Sequence, residues 1–398
     1  MGTDLKKQNV SADYDVAIVG GGIAGSCAAA ILKNTNIKSV LIDPNENMPV
    51  DFRCEKFDHK QMAIVERLGI SEKIYKATTP IENIWIARNG KLVNKMVYPH
   101  YGFSYERVIN AVRDYLDKPR DMILGKVKSV EQCEGFQKLV LADSREVSAR
   151  LVILSNGLNP GIRKQLGVTQ TMLSKNHEMA IGFDVEPETE GQFEFDSFTY
   201  WPEKASDKMA YFTIFKSADV FRVNMFGYWQ KNDPVLQELI QDPVQCLAKL
   251  MPSLEGMVGR FKPVSRVHIR PVDLYQNHPS QCEGIVFVGD AYATSCPGAG
   301  TGTTKAMNDV DILCNRYIPE WLGSGKFGQS EIETFYQDLE KIQSDEVSLN
   351  EAYFLRSITL DKSIVWGARR WMRFFYHLGK SKIANMPILG NPEKGRAA

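Results

Sequence analysis

Tyr14-Asp15-Val16-Ala17-Ile18-Val19-Gly20-Gly21-Gly22-Ile23-Ala24-Gly25 is the stretch on which the fold turns. A short, β-branched apolar run that stops at glycine reads as a buried strand. Residues 26–33 are small and apolar and continue as a helix. Gly20, Gly22 and Gly25 keep the G-x-G-x-x-G spacing. The first permits a tight turn, the second lets backbone approach a pyrophosphate, and the third lets helix press on strand. The free amides and positive dipole end of the helix, around Ile23 and Ala24, then face the phosphates. Val40-Leu41-Ile42-Asp43 reads as the next strand, ending in an acid placed to accept hydrogen bonds from a ribose. Strand, turn, helix and acid in this order predict a Rossmann-like unit that binds an adenine dinucleotide.

The rest of the chain bounds this reading. A length of 398 residues suits two or three domains. Lys+Arg and Asp+Glu balance at 48 each, so no general electrostatic pull toward nucleic acid or anionic membrane is expected. There is no apolar run of about 18 residues, so no transmembrane segment is expected. The first thirteen residues are polar and read as a flexible tail, not a secretory signal. Cysteines 27, 54, 133, 246, 282, 296 and 314 are dispersed, which favours reduced thiols in the cytoplasm over disulfides or zinc. The six histidines are equally scattered, and no metal is expected.

Residues 44–49 read as a polar loop, followed by Arg53, which taken alone reads as a solvated charge but whose planar fork would also suit a phosphate, and a helix over 61–69. Residues 81–98 read as two strands about the turn Asn89-Gly90. Residues 104–116 read as a helix capped by Ser104. Short strands over 121–154 end at Ser155-Asn156-Gly157, a second strand end where a ligand can lie. Over 176–229, alternation predicts a four-strand antiparallel sheet over 177–185, 192–201, 209–215 and 220–229, suited to a substrate wall and rich in aromatics, each of which taken singly reads as core. A helix over 234–251 follows. Gly284-Ile285-Val286-Phe287-Val288 reads as a third buried strand, running into Gly289-Asp290-Ala291, then Pro297-Gly298-Ala299-Gly300-Thr301-Gly302 and a helix over 303–317. That order makes another anion site, with an acid that can bind a polyol. Residues 331–378 read as helical, and the chain after Pro387 as loose. The stretch 366–376 is basic and apolar together. A helix covering the second domain with its arginines outward is the expected reading, and a membrane interface the other.

Three blocks agree: Gly20-x-Gly22-x-x-Gly25 with Asp43; Ser155-Asn156-Gly157 with Arg163; and Gly289-Asp290-Ala291 with Pro297, Gly300-x-Gly302 and Asp309. Together, over residues 14–320, they resemble the FAD-dependent aromatic hydroxylases, flavoprotein monooxygenases of the p-hydroxybenzoate hydroxylase fold. The resemblance implies an α/β architecture: a Rossmann-like FAD-binding domain, an inserted antiparallel β-sheet substrate domain and C-terminal helices. The expected division is 1–80, 99–175 and 271–325 for FAD, 81–98 and 176–270 for substrate, and 326–398 for the helices. It also implies roles. The loop at Gly20, Gly22, Ile23, Ala24 and Gly25 would hold the FAD pyrophosphate, Asp43 the adenosine ribose, and Arg53 the phosphates. Arg107 falls where a flavin-contacting Arg or Gln is common. Asn156 and Gly157 would border the cofactor at the second loop. Gly289 and Asp290 would hold the ribityl chain, and Pro297, Gly300, Thr301 and Gly302 would lie beside the ring. Asn156 stands where the family has Asp, and Thr304 where Asn is common.

The implied function is hydroxylation or epoxidation of a small aromatic or polyketide-like metabolite of secondary metabolism. NAD(P)H would act as a transient reductant and O₂ would react through a flavin C4a-hydroperoxide. The acid or base is expected among Tyr200, Tyr211, Tyr228 and His100. The rivals are a flavin-dependent halogenase, whose Trp-x-Trp-x-Ile-Pro motif is absent here, a geranylgeranyl-reductase-type flavoprotein, and a flavin-binding protein without turnover.

Overall fold

A computed structural model describes residues 12–188, 193–202, 205–279 and 282–384; of the expected tails, residues 1–11 and those after Pro387 lie outside these, while Asp13, expected in the first, is hydrogen-bonded to Ser148. The chain divides into two compact units. Met1–Pro80, His100–Ala180 and Arg270–Tyr353 form the first, and Ile81–Pro99, Ile181–Ile269 and Phe354–Ala398 the second.

In the first unit the sheet runs Met122–Leu124, Ser39–Asp43, Tyr14–Val19, Glu146–Leu154, Phe136–Leu141, Val127–Cys133, with Ile285–Phe287 also paired to Glu146–Leu154. The apolar run from Val16 to Val19 is parallel to Ser39–Asp43 on one side and to Glu146–Leu154 on the other. Ile285–Phe287 is parallel to the last turn of the same strand, with Phe287 opposite Leu154. Val16, Ala17, Ile18, Leu151, Val152, Ile153, Val286 and Phe287 are essentially inaccessible, as strands covered on both faces must be. Helix Ile23–Lys33 and helix Gly302–Ile312 pack over one face through Ala24, Ala28, Ala306, Met307 and Val310. Because the three strands are parallel, their carboxyl ends fall on one edge. This is where ligands bind in open α/β sheets.

The expected helices form with local differences. Helix His59–Arg67 starts at a capping box between Asp58 and Gln61. Helix Tyr105–Arg113 has Ser104 at its N-cap position, but that hydroxyl donates to Glu106 at 2.5 Å and caps no amide. The single helix expected over 234–251 is two, Pro234–Gln241 and Pro243–Leu250. Pro243 has no N–H to continue the first, and Asp242 caps the second through Gln245 N–H.

In the second unit the strand order is Phe261–Pro263, Thr169–Pro187, Val220–Gly227, Met209–Ser217, Ser197–Trp201, Thr79–Arg88, Lys91–Ser104. Thr169–Pro187 enters this unit at Ile181, and Lys91–Ser104 leaves it after Pro99. The pairs among Ser197–Trp201, Met209–Ser217 and Val220–Gly227 are antiparallel, as alternation predicts. Ser197–Trp201 is parallel to Thr79–Arg88, so the inserted sheet is mixed rather than purely antiparallel. Sequence periodicity is 2 in either case and carries no strand direction. Phe198, Tyr200, Phe212 and Phe215 are fully buried and serve as core. Among the described residues no helix is long and apolar enough to cross a membrane, and no side-chain cluster could hold a metal.

Candidate functional site

The three glycine-marked strand ends meet. Gly20, Gly157 and Gly289 all hold positive φ, at 97°, 58° and 58°, which lets each strand turn sharply at its end. Ser155 Oγ donates to Gly20 O at 2.8 Å and to Val19 O at 3.0 Å, tying the second loop to the first. A Cβ on Gly20 would lie 2.7 Å from Asn156 Cα. A Cβ on Gly289 would lie 3.5 Å from Ala24 Cβ. Gly25 packs so closely that a Cβ there would overlap Gly20 O and stand 2.5 Å from Ser155 Oγ.

Helix Ile23–Lys33 has no side-chain cap; its N-cap is Gly22. Its first amide, Ile23 N–H, donates to Tyr105 Oη at 3.0 Å. A Cβ on Gly22 would meet only that hydroxyl, at 3.2 Å. The guanidinium of Arg53 lies 3.6 Å from the Tyr105 ring centroid and is forked to Asp51 at 2.9 and 3.2 Å. A helix N-terminus whose N-cap residue offers no side chain, with an arginine beside it, suits an anion.

Asp43 accepts Gly21 N–H at 2.7 Å on Oδ2 and Asn45 N–H at 2.9 Å on Oδ1. A carboxylate has about four lone-pair sites, so these two amides leave room for a further donor. Beneath it sits Arg113, fully buried, 3.5 Å from Asp43 Oδ1. Arg113 donates to Gly21 O at 2.5 Å, Asn45 O at 2.6 Å, Glu46 O at 3.0 Å and Ser26 Oγ at 3.3 Å. One guanidinium therefore fixes both the phosphate loop and the loop after Asp43. It is absent from the sequence-based site, although the i, i+4, i+7 series Ile109, Arg113, Leu116 places an arginine on the buried helix face. Arg113→Met leaves three carbonyls and a carboxylate without their donor. It should cost about 3 kcal/mol in urea unfolding. A loss under 1 kcal/mol would mean the loops hold themselves.

At the third loop, burial raises the Asp290 carboxyl pKa above the usual range, against the opposing charges of Lys305 and Arg53. Glu55 is likewise raised by burial, and accepts Thr303 Oγ1 at 2.8 Å. Gly289 N–H donates to Asp309 Oδ2 at 2.8 Å, and Lys341 Nζ lies 2.9 Å from Asp309 Oδ1, both side chains being wholly buried. Pro297 is exposed. The adjoining Gly298 N–H donates to Glu178 Oε2 at 2.9 Å. Gly300 turns at φ 69°, Thr301 Oγ1 pairs with Ser348 Oγ at 2.7 Å, and Gly302 begins the helix.

Other expected residues stand elsewhere. Arg107 is exposed on the outer face of its helix, and Tyr105 takes the inward position against the phosphate loop. Asn156 Nδ2 donates to Asn159 O at 3.4 Å. Arg163 donates to Val168 O at 3.2 Å. Thr304 Oγ1 accepts Gln61 Nε2 at 3.1 Å. Of the acid–base candidates, His100 is half-buried in the first unit. Tyr200 is fully buried in the second unit with Oη 3.3 Å from Ser253 Oγ. Tyr211 sits 5.0 Å from the rings of both Trp201 and Phe226. Tyr228 is buried, with the Arg356 guanidinium 5.2 Å from its ring.

These residues fit FAD. The glycine loop carries no Cβ at Gly22, which a pyrophosphate would need, the N-cap residue has no side chain to cap the helix, and Asp43 and Asp290 offer acceptors on the same strand-end edge. A family model described as FAD binding domain matches residues 13–326. Ubiquinone hydroxylase UbiM of Neisseria meningitidis is 22% identical over 334 residues, covering 76% of this chain and 68% of that protein. Digeranylgeranylglycerophospholipid reductase of Methanococcus vannielii is 22% identical over 340 residues, covering 82% of each. Among solved structures, p-nitrophenol 4-monooxygenase PnpA from Pseudomonas putida DLL-E4 superposes with a TM-score of 0.74 at 15% identity, over 93% of this chain and 95% of that one.

Proposed function

The chain belongs to the FAD binding domain family and is an FAD-dependent oxidoreductase, and from that premise we propose that it is a monooxygenase using NAD(P)H and O₂ on a small aromatic or polyketide-like metabolite. The observation that carries the reading is the meeting of the loops at Gly20, Asn156 and Gly289 on one sheet edge. Bound FAD supplies electron transfer and oxygen activation. The chain's own residues bind and orient it. The uncapped helix at Gly22 and Arg53 hold the pyrophosphate, Asp43 the ribose, and Asp290 the ribityl hydroxyls, with Pro297, Gly300, Thr301 and Gly302 beside the ring. Arg113 and Asp309 keep the loops in shape.

The raised pKa of Asp290 gives this reading a pH dependence. A carboxylate accepts from ribityl hydroxyls and a carboxylic acid accepts less well, so FAD affinity should fall as pH drops through that raised value. In Asp290→Asn the affinity should be lower at neutral pH and flat on the acid side. An unchanged acid limb in Asp290→Asn would remove the assignment.

A second reading, a reductase that saturates a prenyl chain, is favoured by the match to the reductase of Methanococcus vannielii over 82% of both chains. Purified holoprotein mixed with NADPH or NADH in air separates the two. A monooxygenase bleaches its flavin and takes up O₂, faster with substrate. A prenyl reductase saturates an alkene without O₂ uptake. A flavin that stays oxidised with both nucleotides and every substrate would overturn both.

A further inference from the structure

Helix Ile364–Ala384 presents its apolar side outward. Ile364, Val365, Trp371, Met372, Phe375 and Tyr376 are each between 57% and 91% exposed. At about 100° per residue they fall within an arc of about 140° on one side of the helix. The rings of Trp371 and Phe375 stack there at 5.9 Å. The opposite side is the one held by the protein. Trp366 packs against Phe354 with centroids 5.8 Å apart, and Arg370 donates to Ile358 O at 3.1 Å and Asp361 O at 2.7 Å. An ordinary surface helix turns its apolar stripe inward, and this one is reversed.

The charge pattern says what covers it. Between Asp361 and Glu393 the sequence has no acidic residue, whereas Lys362, Arg369, Arg370, Arg373, Lys380 and Lys382 fall in that span of a chain whose charges balance as a whole. Exposed Arg369 adjoins the apolar arc. Aromatic and aliphatic side chains beside a basic flank are the composition of a helix lying in the plane of a bilayer, where tryptophan and tyrosine favour the interface and cations meet anionic headgroups. A second copy of the chain would bring the same positive flank against itself. The helix is not long and apolar enough to cross a membrane.

We infer that helix Ile364–Ala384 docks this protein on the surface of an anionic lipid bilayer. The inference stands apart from the flavin chemistry, and its test needs no turnover. Full-length holoprotein is sedimented with phosphatidylcholine vesicles, with and without phosphatidylglycerol. Binding is expected only with the anionic lipid and should weaken as salt rises. Trp371→Glu combined with Phe375→Glu should lower the partition coefficient by at least about tenfold while leaving FAD content unchanged. Arg369→Gln should weaken binding by about fivefold at low salt. Absence of vesicle binding by the full chain, or equal binding by the double variant, would overturn the inference. So would a concentration-dependent dimer, seen by light scattering, that the double variant abolishes without any lipid binding in the wild type.

Discussion

Gly25→Ala is expected to cost the protein its fold, whereas Gly22→Val is expected to cost it only its flavin. A Cβ at Gly25 meets backbone, the Gly20 carbonyl, and stands 2.5 Å from Ser155 Oγ, so neither neighbour can yield without opening the strand ends. Overpacking against backbone should cost at least about 3 kcal/mol. That is a large part of the roughly 5–15 kcal/mol that holds a domain together. At Gly22 the only neighbour within reach is the hydroxyl at the end of Tyr105, and the backbone is extended with φ −71°. A valine fits there in the absence of ligand but fills the approach a pyrophosphate needs. The expected pair of results is a Gly22→Val protein that melts with flavin-stripped wild type and has no yellow colour, and a Gly25→Ala protein that is insoluble or melts far lower. A yellow Gly22→Val protein would move the phosphate site elsewhere.

The second large effect is at the ion pair under the Gly-Asp loop. Lys341 and Asp309 are fully buried 2.9 Å apart, with Lys305 at 3.9 Å from Asp309 and Asp345 at 3.0 Å from Lys341. Burial alone would raise the Asp309 pKa, but Lys341 and Lys305 outweigh it and hold the carboxyl below its usual range. Burial likewise opposes the charge on Lys341, and Asp309 and Asp345 outweigh it, so its pKa is raised. A depressed acid contributes stability that is complete above its unfolded value, about 3.9, and lost as pH falls through the folded value. A raised lysine contributes stability that is complete below about 10.4 and lost as pH climbs through the folded value. The pair thus stabilises the protein fully between these limits. Lys341→Met should cost about 3–5 kcal/mol near neutral pH by leaving Asp309 buried with a weaker partner. That deficit should shrink toward about pH 5, because the stranded carboxyl can then take a proton. Urea unfolding of both proteins across this range measures it. A deficit independent of pH would assign the loss to packing alone.

What the sequence told and withheld follows from the physics of each residue. The glycine turn between Tyr14–Val19 and Ile23–Lys33 was legible because strand, turn and helix are local and glycine spacing is a backbone requirement. The meeting of residues 20, 156 and 289 was legible only through the resemblance, since parallel pairing of Tyr14–Val19 with Glu146–Leu154 joins segments far apart along the chain. Arg107 and Tyr105 lie two positions apart on one helix, and a small error in helical phase exchanges an inward side chain for an outward one. Arg113 was hidden because an arginine is usually exposed; it is buried here by four acceptors that come from two distant segments, residues 21–26 and 45–46. The parallel pair of Ser197–Trp201 with Thr79–Arg88 left no trace, because alternation is identical for either strand direction.

Fluorescence titration of flavin-stripped protein with FAD tests most directly that the three strand ends make one cofactor site. Wild-type protein should quench FAD to a sharp end point at one flavin per chain, and folded Gly22→Val should not quench it at all. Wild-type protein that leaves FAD fluorescence unchanged, or a Gly22→Val protein that titrates identically, would contradict it.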